Sequence, residues 1–323
     1  MRKFIALTMA ALLFLGCCGC GGNAPLTRTA TMLDTVVNVS LYDKQDEALL
    51  DECRDVIAAR DALWSRTVEG SDIARLNAAA GQTVAVADET AALLQTAQMY
   101  TDLTGGAFDV TVAPLLDLWD EATKTGVEPT EDALAAACAA VNSGGMSIGE
   151  SDVTLASGMA VDLGGIAKGA IADELASLLA ERGCQSALID LGGNVLAVGS
   201  RPDGSPFRVG ISDPRDPDSV IAKVEVSSCS VVTSGSYSRR YFVGDREYSH
   251  ILDPRTGQPV QNDLLSVTIL SPQSIDGDAL STACFVMGLE NAQALVESFS
   301  DVEAVFVKAD GTVVATDGVK LVP

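Results

Sequence analysis

Beyond residue 186 the chain is cut into short apolar runs by Gly, Pro and Asp, and this punctuation restricts the fold more than any other feature. Ala187 to Leu191, Val195 to Val198, Phe207 to Ile211, Val220 to Val226, Val231-Val232 and Tyr241-Phe242 each read as a strand closed by a tight turn. Two more strands, Ser266 to Ser271 and Ala304 to Val307, alternate with helical spacing over Asp276 to Met287 and Asn291 to Ser298. Strands joined by tight turns pair antiparallel, because a parallel pair needs a long crossover. The first half differs. Met32 to Tyr42 alternates as a strand, and helical periodicity follows over Asp46 to Trp64, Thr90 to Thr101, Glu131 to Val141 and Ile166 to Arg182. Pro129-Thr130 marks one helix start and Gly183 one helix end. The irregular interleaving predicts an α+β domain, mostly antiparallel sheet with packed helices, and argues against a doubly wound parallel sheet.

The N-terminus is a separate matter. Arg2 and Lys3 precede an apolar run from Phe4 to Leu15, which ends at Gly16-Cys17. At about 1.5 Å per residue such a run is too short to cross a bilayer core of about 30 Å, and it has the layout of a secretory signal. Small residues around the first cysteine predict a lipoprotein signal over residues 1–16 with Cys17 acylated, although Cys18 and Cys20 are alternatives. A Gly-rich tether follows over 17–29, and one large domain, or two intimate halves, over 30–323. This predicts an extracytoplasmic, lipid-anchored protein on the cell membrane. No later stretch is long and apolar enough to span. Cys53, Cys138, Cys184, Cys229 and Cys284 are odd in number and widely spaced, with no C-x-x-C pair, so they read as buried apolar residues.

The formal net charge is −23. Such a surface repels nucleic acid and anionic headgroups, and it repels a diphosphate equally. Any phosphate-bearing ligand therefore requires a bound cation, a helix N-terminus or a few placed basic side chains.

Three segments could supply that help. Asp162-Leu163-Gly164-Gly165-Ile166-Ala167-Lys168-Gly169 carries paired glycines into a helix start with a lysine in its first turn, which suits an anion. It is not a Walker loop and could equally be a plain loop-to-helix junction. In Asp276-Gly277-Asp278-Ala279-Leu280-Ser281-Thr282, Asp278 and Thr282 share one helix face. A carboxylate plus a hydroxyl, completed by carbonyls, is an oxygen set suited to Mg²⁺; the alternative is helix capping by Asp276 or Asp278. His250, in His250-Ile251-Leu252-Asp253-Pro254-Arg255-Thr256-Gly257, is the single histidine and the one side chain that titrates near neutrality unperturbed. A structural histidine at a strand end is the competing reading. Glycine-bearing turns are expected at Gly105-Gly106-Ala107-Phe108-Asp109, Asp190-Leu191-Gly192-Gly193-Asn194 and Thr233-Ser234-Gly235-Ser236-Tyr237.

Taken in order along the chain, these segments resemble the ApbE family of FAD:protein FMN transferases. Met32-Leu33-Asp34-Thr35, Ser71 to Asn77, Gly105 to Thr111, Pro114-Leu115, Asp162 to Gly169, Ile189 to Asn194, Thr233 to Gly235, His250 to Gly257 and Asp276 to Thr282 carry the resemblance over nearly the whole mature chain. It implies an ApbE-like, T-fold-related architecture. It also implies an FAD site at Met32, Ala107, Phe108, Asp109, Asp162, Lys168 and Leu252. The implied Mg²⁺ site comprises Asp278, Ser281, Thr282 and the carbonyl of Gly165. Asp278 and His250 become the catalytic candidates, and FAD becomes a substrate whose FMN half passes to a Ser or Thr hydroxyl while AMP leaves. The implied partner is a flavoprotein on the same membrane face, a separate protein because this chain lacks an [S/T]-G-A-[S/T] target. An FAD pyrophosphatase and a non-catalytic flavin carrier are the competing readings. Two departures from the family pattern stand out: Met-Leu-Asp-Thr replaces Met-Gly-Thr, and Thr67 stands where an aromatic residue is usual, with Trp64 nearby as a substitute.

Overall fold

The computed structural model describes residues 24–237 and 240–322. The expected signal and Cys17, Cys18 and Cys20 lie outside the described residues.

In chain order, the first half holds β1 (Leu26–Met32), β2 (Thr35–Leu41), α1 (Glu47–Trp64), α2 (Asp72–Ala78), β3 (Val84–Ala85), α3 (Asp88–Leu103), α4 (Ala113–Thr125), α5 (Glu131–Ala140), β4 (Met146–Ile148), β5 (Asp152–Leu155) and α6 (Ala167–Glu181). The second half holds β6 (Ser186–Leu191), β7 (Asn194–Gly199), β8 (Phe207–Asp213), β9 (Asp216–Val226), β10 (Cys229–Gly235), β11 (Arg240–Val243), β12 (Arg246–Ser249), β13 (Leu264–Ser271), α7 (Ser274–Met287), α8 (Leu289–Glu297), β14 (Glu303–Lys308), β15 (Val313–Ala315) and β16 (Leu321–Val322).

One eight-stranded sheet, ordered β1-β2-β6-β7-β10-β13-β14-β15, organises the molecule, and each of its pairings is antiparallel. Strands β6, β13 and β14 are buried on consecutive residues because both of their faces are covered, whereas the edge strand β1 alternates with exposed residues. Ile189, Leu196, Ile269, Ala304 and Phe306 join the principal core with helices α1, α3, α6 and α7. Their neighbours Leu188, Ala197, Leu270 and Val305 point to the opposite face, against Phe207, Val209, Ile211, Val224 and Val226 of the small sheet β16-β9-β8. This period-two partition, side chain by side chain, is what fixes the register. A third cluster joins Leu115 and Trp119 of α4 to Val243 of the β11-β12 hairpin and to Leu252. Helix α7 is buried on nearly every side, with Ala279, Leu280, Ala283, Cys284 and Phe285 at 1% exposure or less.

Several boundaries differ from expectation. The span Met32 to Tyr42 is not one strand: Leu33 and Asp34 take φ of 54° and 55°, a two-residue turn that folds β1 onto β2 with Met32 opposite Thr35. Residues 26–29 of the expected tether are therefore strand, because Leu26-Thr27-Arg28-Thr29 pairs with Val39 to Leu41 and Asn38 of β2. The segment Thr233-Ser234-Gly235 belongs to strand β10, paired with Ser266 to Thr268, and the turn starts at Ser236. Helices α2 and α4 and the small sheet β3-β5-β4 were not expected. Of the five cysteines read as buried, the free thiols Cys53, Cys184 and Cys284 are buried, whereas Cys138 and Cys229 are only half-buried. No helix among the described residues is long and apolar enough to cross a membrane.

Candidate active site

The chemistry-bearing segments meet along one cleft of about 3670 Å³, which Ala167, Lys168 and Ile171 of α6 and Asp278 and Thr282 of α7 help to line. The start of α7 is built without its own cap. Gln273 makes no side-chain capping bond; the N–H groups of Ser274 and Ile275 donate to the Asp173 carboxylate of α6, at 2.7 and 2.9 Å. Capping by Asp276 or Asp278 is thereby excluded, and both side chains are left for other work. Tyr100 donates to Asp276. Asp278, 4% exposed, accepts at Oδ2 from the Gly169 N–H at 2.9 Å, and its Oδ1 lies 3.5 Å from the Lys168 ammonium. Lys168 also donates to the Gly164 carbonyl at 3.1 Å.

Close approach of the two helices depends on Gly169. A Cβ there would stand 2.4 Å from the Ser274 carbonyl oxygen and 2.6 Å from Ile275 Cα, both backbone atoms. One turn further along α7, Thr282 lines the cleft beside Gly165; a Cβ on that glycine would lie 3.7 Å from Thr282 Oγ1 and 3.1 Å from the Phe108 ring. Ser281 is fully buried, its hydroxyl held by the Asp278 carbonyl at 3.1 Å and by Ser234 at 2.9 Å. Ser234 also reaches Thr282 Oγ1 at 3.2 Å and itself lines the cleft. No local pattern in Thr233-Ser234-Gly235 signals this hydroxyl, because its partners Ser281 and Thr282 lie on a distant helix.

The remaining walls come from several elements. Ala107, Phe108 and Asp109 line the cleft after α3, with Asp109 Oδ1 fixed by the Thr111 N–H at 2.8 Å and the Thr111 hydroxyl at 2.7 Å. Asp162 accepts from the Gly164 N–H at 2.7 Å and pairs with Arg66 at 2.9 Å; the same guanidinium reaches Asp117 of α4 at 2.6 Å. Nothing in the sequence marked Arg66, because its partners are separated from it by long loops of chain. His250 follows β12 directly and lines the cleft together with Ile251 and Leu252. Met32 packs against the principal core, while Thr31, Leu33 and Asp34 on either side of it line the cleft. Trp64 and Thr67 also line it; the Arg60 guanidinium lies 5.6 Å from the Trp64 ring centre, and the buried indole N–H has no partner. At the β6-β7 turn Gly192 and Gly193 take φ of 70° and 93°, and a Cβ on Gly192 would overlap Thr35.

Burial dominates the electrostatics. It pushes the Asp173 carboxyl up to about 6 against two stabilising N–H bonds, and it raises Asp276 and Asp190 as well. Asp173, Asp276 and Asp278 therefore crowd the start of α7, with the Lys168 ammonium beside Asp278.

The donor set around Asp278 is one carboxylate, the hydroxyl of Thr282 and a nearby glycine-rich backbone. Among the described residues no three side chains of His, Cys, Asp and Glu are arranged to share one ion, so a cation beside Asp278 would meet one carboxylate and otherwise neutral oxygens. Such a set suits Mg²⁺, which is commonly held by one or two carboxylates with substrate phosphates and water, and does not suit zinc.

Comparison with known proteins decides the family. The ApbE family model matches residues 33–306. The chain belongs to the ApbE family. An FAD:protein FMN transferase of Treponema pallidum is 36% identical, over 93% of this chain and 90% of its own length. One from Klebsiella pneumoniae is 30% identical, over 93% and 94%. The crystal structure of the flavinyl transferase ApbE from Pseudomonas stutzeri, an apo form, superposes with a TM-score of 0.81 at 30% identity, covering 93% of this chain and 97% of that one. ApbE members thus share this arrangement of antiparallel sheet and helices, and the expected fold class holds.

Proposed function

We propose that this protein transfers the FMN moiety of FAD onto a Ser or Thr hydroxyl of a partner flavoprotein and releases AMP. The observation that carries the reading is the Asp278-Thr282 face of α7 set against Lys168 and Gly165 of the α6 entry, inside a family whose relatives are FAD:protein FMN transferases. Asp278, Thr282 and the Gly165 carbonyl would hold Mg²⁺, with Ser281 beneath them ordering the Thr282 face through Ser234. When bound, the ion would offset the charge of the diphosphate and stabilise the departing AMP.

The chain's own groups do the rest. The Lys168 ammonium and the positive end of α6 supply fixed potential for the diphosphate. Ala107, Phe108, Asp109, Asp162 and Leu252 provide walls for the rest of the dinucleotide. The acceptor oxygen bonds to the FMN phosphorus, the bond from that phosphorus to the bridging oxygen breaks, and AMP leaves with the electron pair. His250 is our candidate to take the hydroxyl proton, since it lines the cleft and an imidazole can accept a proton. Catalysis of this kind consists chiefly of positioning and charge stabilisation. The signal-like opening and Cys17 support anchoring by lipid outside the cytoplasm, with an acceptor on the same membrane face.

Incubation with FAD, Mg²⁺ and a candidate acceptor tests the proposal by intact mass. A gain of one FMN on the acceptor supports transfer. Free FMN without that gain would replace it with hydrolysis, and intact FAD would reduce the protein to a carrier.

A further inference from the structure

Asp173 lies outside the cleft and outside every segment from which the site was read, yet the start of α7 hangs on it. It stands one turn after Gly169 on the same face of α6, and both reach α7: Gly169 through its N–H to Asp278, Asp173 through its carboxylate to the Ser274 and Ile275 N–H groups. Ser274 is further fixed by its hydroxyl, which donates to Asn194 at 2.6 Å and accepts from Ser230 at 3.0 Å. Asp278 follows Ser274 by one turn, so the two α6 contacts set both where α7 begins and how it is rotated. That rotation decides whether Asp278 and Thr282 face Lys168 and Gly165.

We propose that Asp173 is a positioning residue for the cation and diphosphate centre, clamping the first turn of α7 to α6 so that Asp278 and Thr282 are held in place. The inference rests on the reading of that centre given above. A residue serving only as a helix cap would lower stability when changed and leave the ion affinity of the folded protein alone. A positioning residue affects the affinity of the folded protein, because partners outside the ligand shell orient the ligands.

The test uses the full chain with Mn²⁺ as the paramagnetic probe, in the presence of FAD. Free Mn²⁺ is measured by electron spin resonance for wild type, Asp173→Asn and Asp173→Glu, alongside thermal melts. Asn keeps an acceptor for one N–H and loses the charge; Glu keeps the charge and displaces it. Asp173→Asn is expected to bind Mn²⁺ at least about tenfold more weakly. Its KM for FAD at saturating metal should stay close to that of wild type, and Asp173→Glu should fall between the two in Mn²⁺ affinity. Wild-type Mn²⁺ affinity in either folded variant would overturn the inference alone. A wild type that takes up no Mn²⁺ would overturn the reading of the centre, and the inference with it.

Discussion

Replacing Gly169 with alanine isolates the contact on which the α6-α7 packing depends. In an exposed helix the change would stabilise by about 0.8–1 kcal/mol, since glycine is the poorer helix former. Here the new methyl would lie 2.4 Å from the Ser274 carbonyl oxygen, 2.6 Å from Ile275 Cα and 2.8 Å from Ile275 N. Carbon contacts are comfortable only at about 3.5 Å, so the helices must part by about 1 Å. None of the three atoms belongs to a side chain that could swing away. Overpacking of this kind costs about 1–3 kcal/mol. The same movement stretches the N–H bond to the Asp278 carboxylate, and hydrogen bonds to charged groups contribute about 1.5–3 kcal/mol. Setting the helix gain against these gives a net loss of about 1.5–5 kcal/mol, or a melting point lower by about 2–8 °C at an unfolding entropy of about 2.1 cal/mol/K per residue. Thermal melts followed by circular dichroism, with the Mg²⁺ dependence of FMN transfer measured on the folded protein, provide the check. We expect a lower melting point and a higher Mg²⁺ requirement. A melting point equal to or above wild type would show that helix propensity decides at this position, and the tight α6-α7 contact would be refuted.

Asp278→Ala is expected to abolish FMN transfer more completely than His250→Ala, because it removes the one carboxylate of the proposed ion site; single-turnover rates in the opposite order would reverse the assignment. Arg66→Gln frees Asp162 from its ion pair, and loss of a charge-assisted bond of about 1.5–3 kcal/mol predicts FAD binding weaker by roughly tenfold or more, read from flavin fluorescence. Asp173 provides a pH dependence. Its folded value, up to about 6, lies above the unfolded 3.8, so its stabilising contribution is fully present below 3.8 and is lost as pH rises through 6. Between pH 7 and pH 5 wild type should therefore gain about 1 kcal/mol relative to Asp173→Asn in urea unfolding, and no relative gain would contradict the burial argument.

Much of this was legible because local signals agreed with the fold. Asp46 does cap α1 and Thr130 does cap α5, and strands β6 to β10 fall between the turns that the glycines and prolines announced. Helix α4 escaped because its start, Val112-Ala113-Pro114, carries no side-chain cap. The split between β1 and β2 escaped because Leu33 adopts a positive φ that glycine or asparagine would have advertised. Within the site, spacing alone put Asp278 and Thr282 on one helix face and Lys168 at a helix start, while their assignment, with Asp162, to a flavin and ion site rested on the resemblance to the ApbE family. The roles of Asp173, Arg66 and Ser234 arise only where distant segments touch, and no local pattern encodes that.

A cation beside Asp278 and Thr282 would let a chain of net charge −23 hold a diphosphate. Titrating FAD into the protein with Mg²⁺ and again after chelation, with flavin fluorescence as the readout, measures this directly. Chelation is predicted to weaken FAD binding by at least about tenfold, the smallest effect expected if the ion contributes about 1.4 kcal/mol or more. Identical affinity in the two titrations would contradict it.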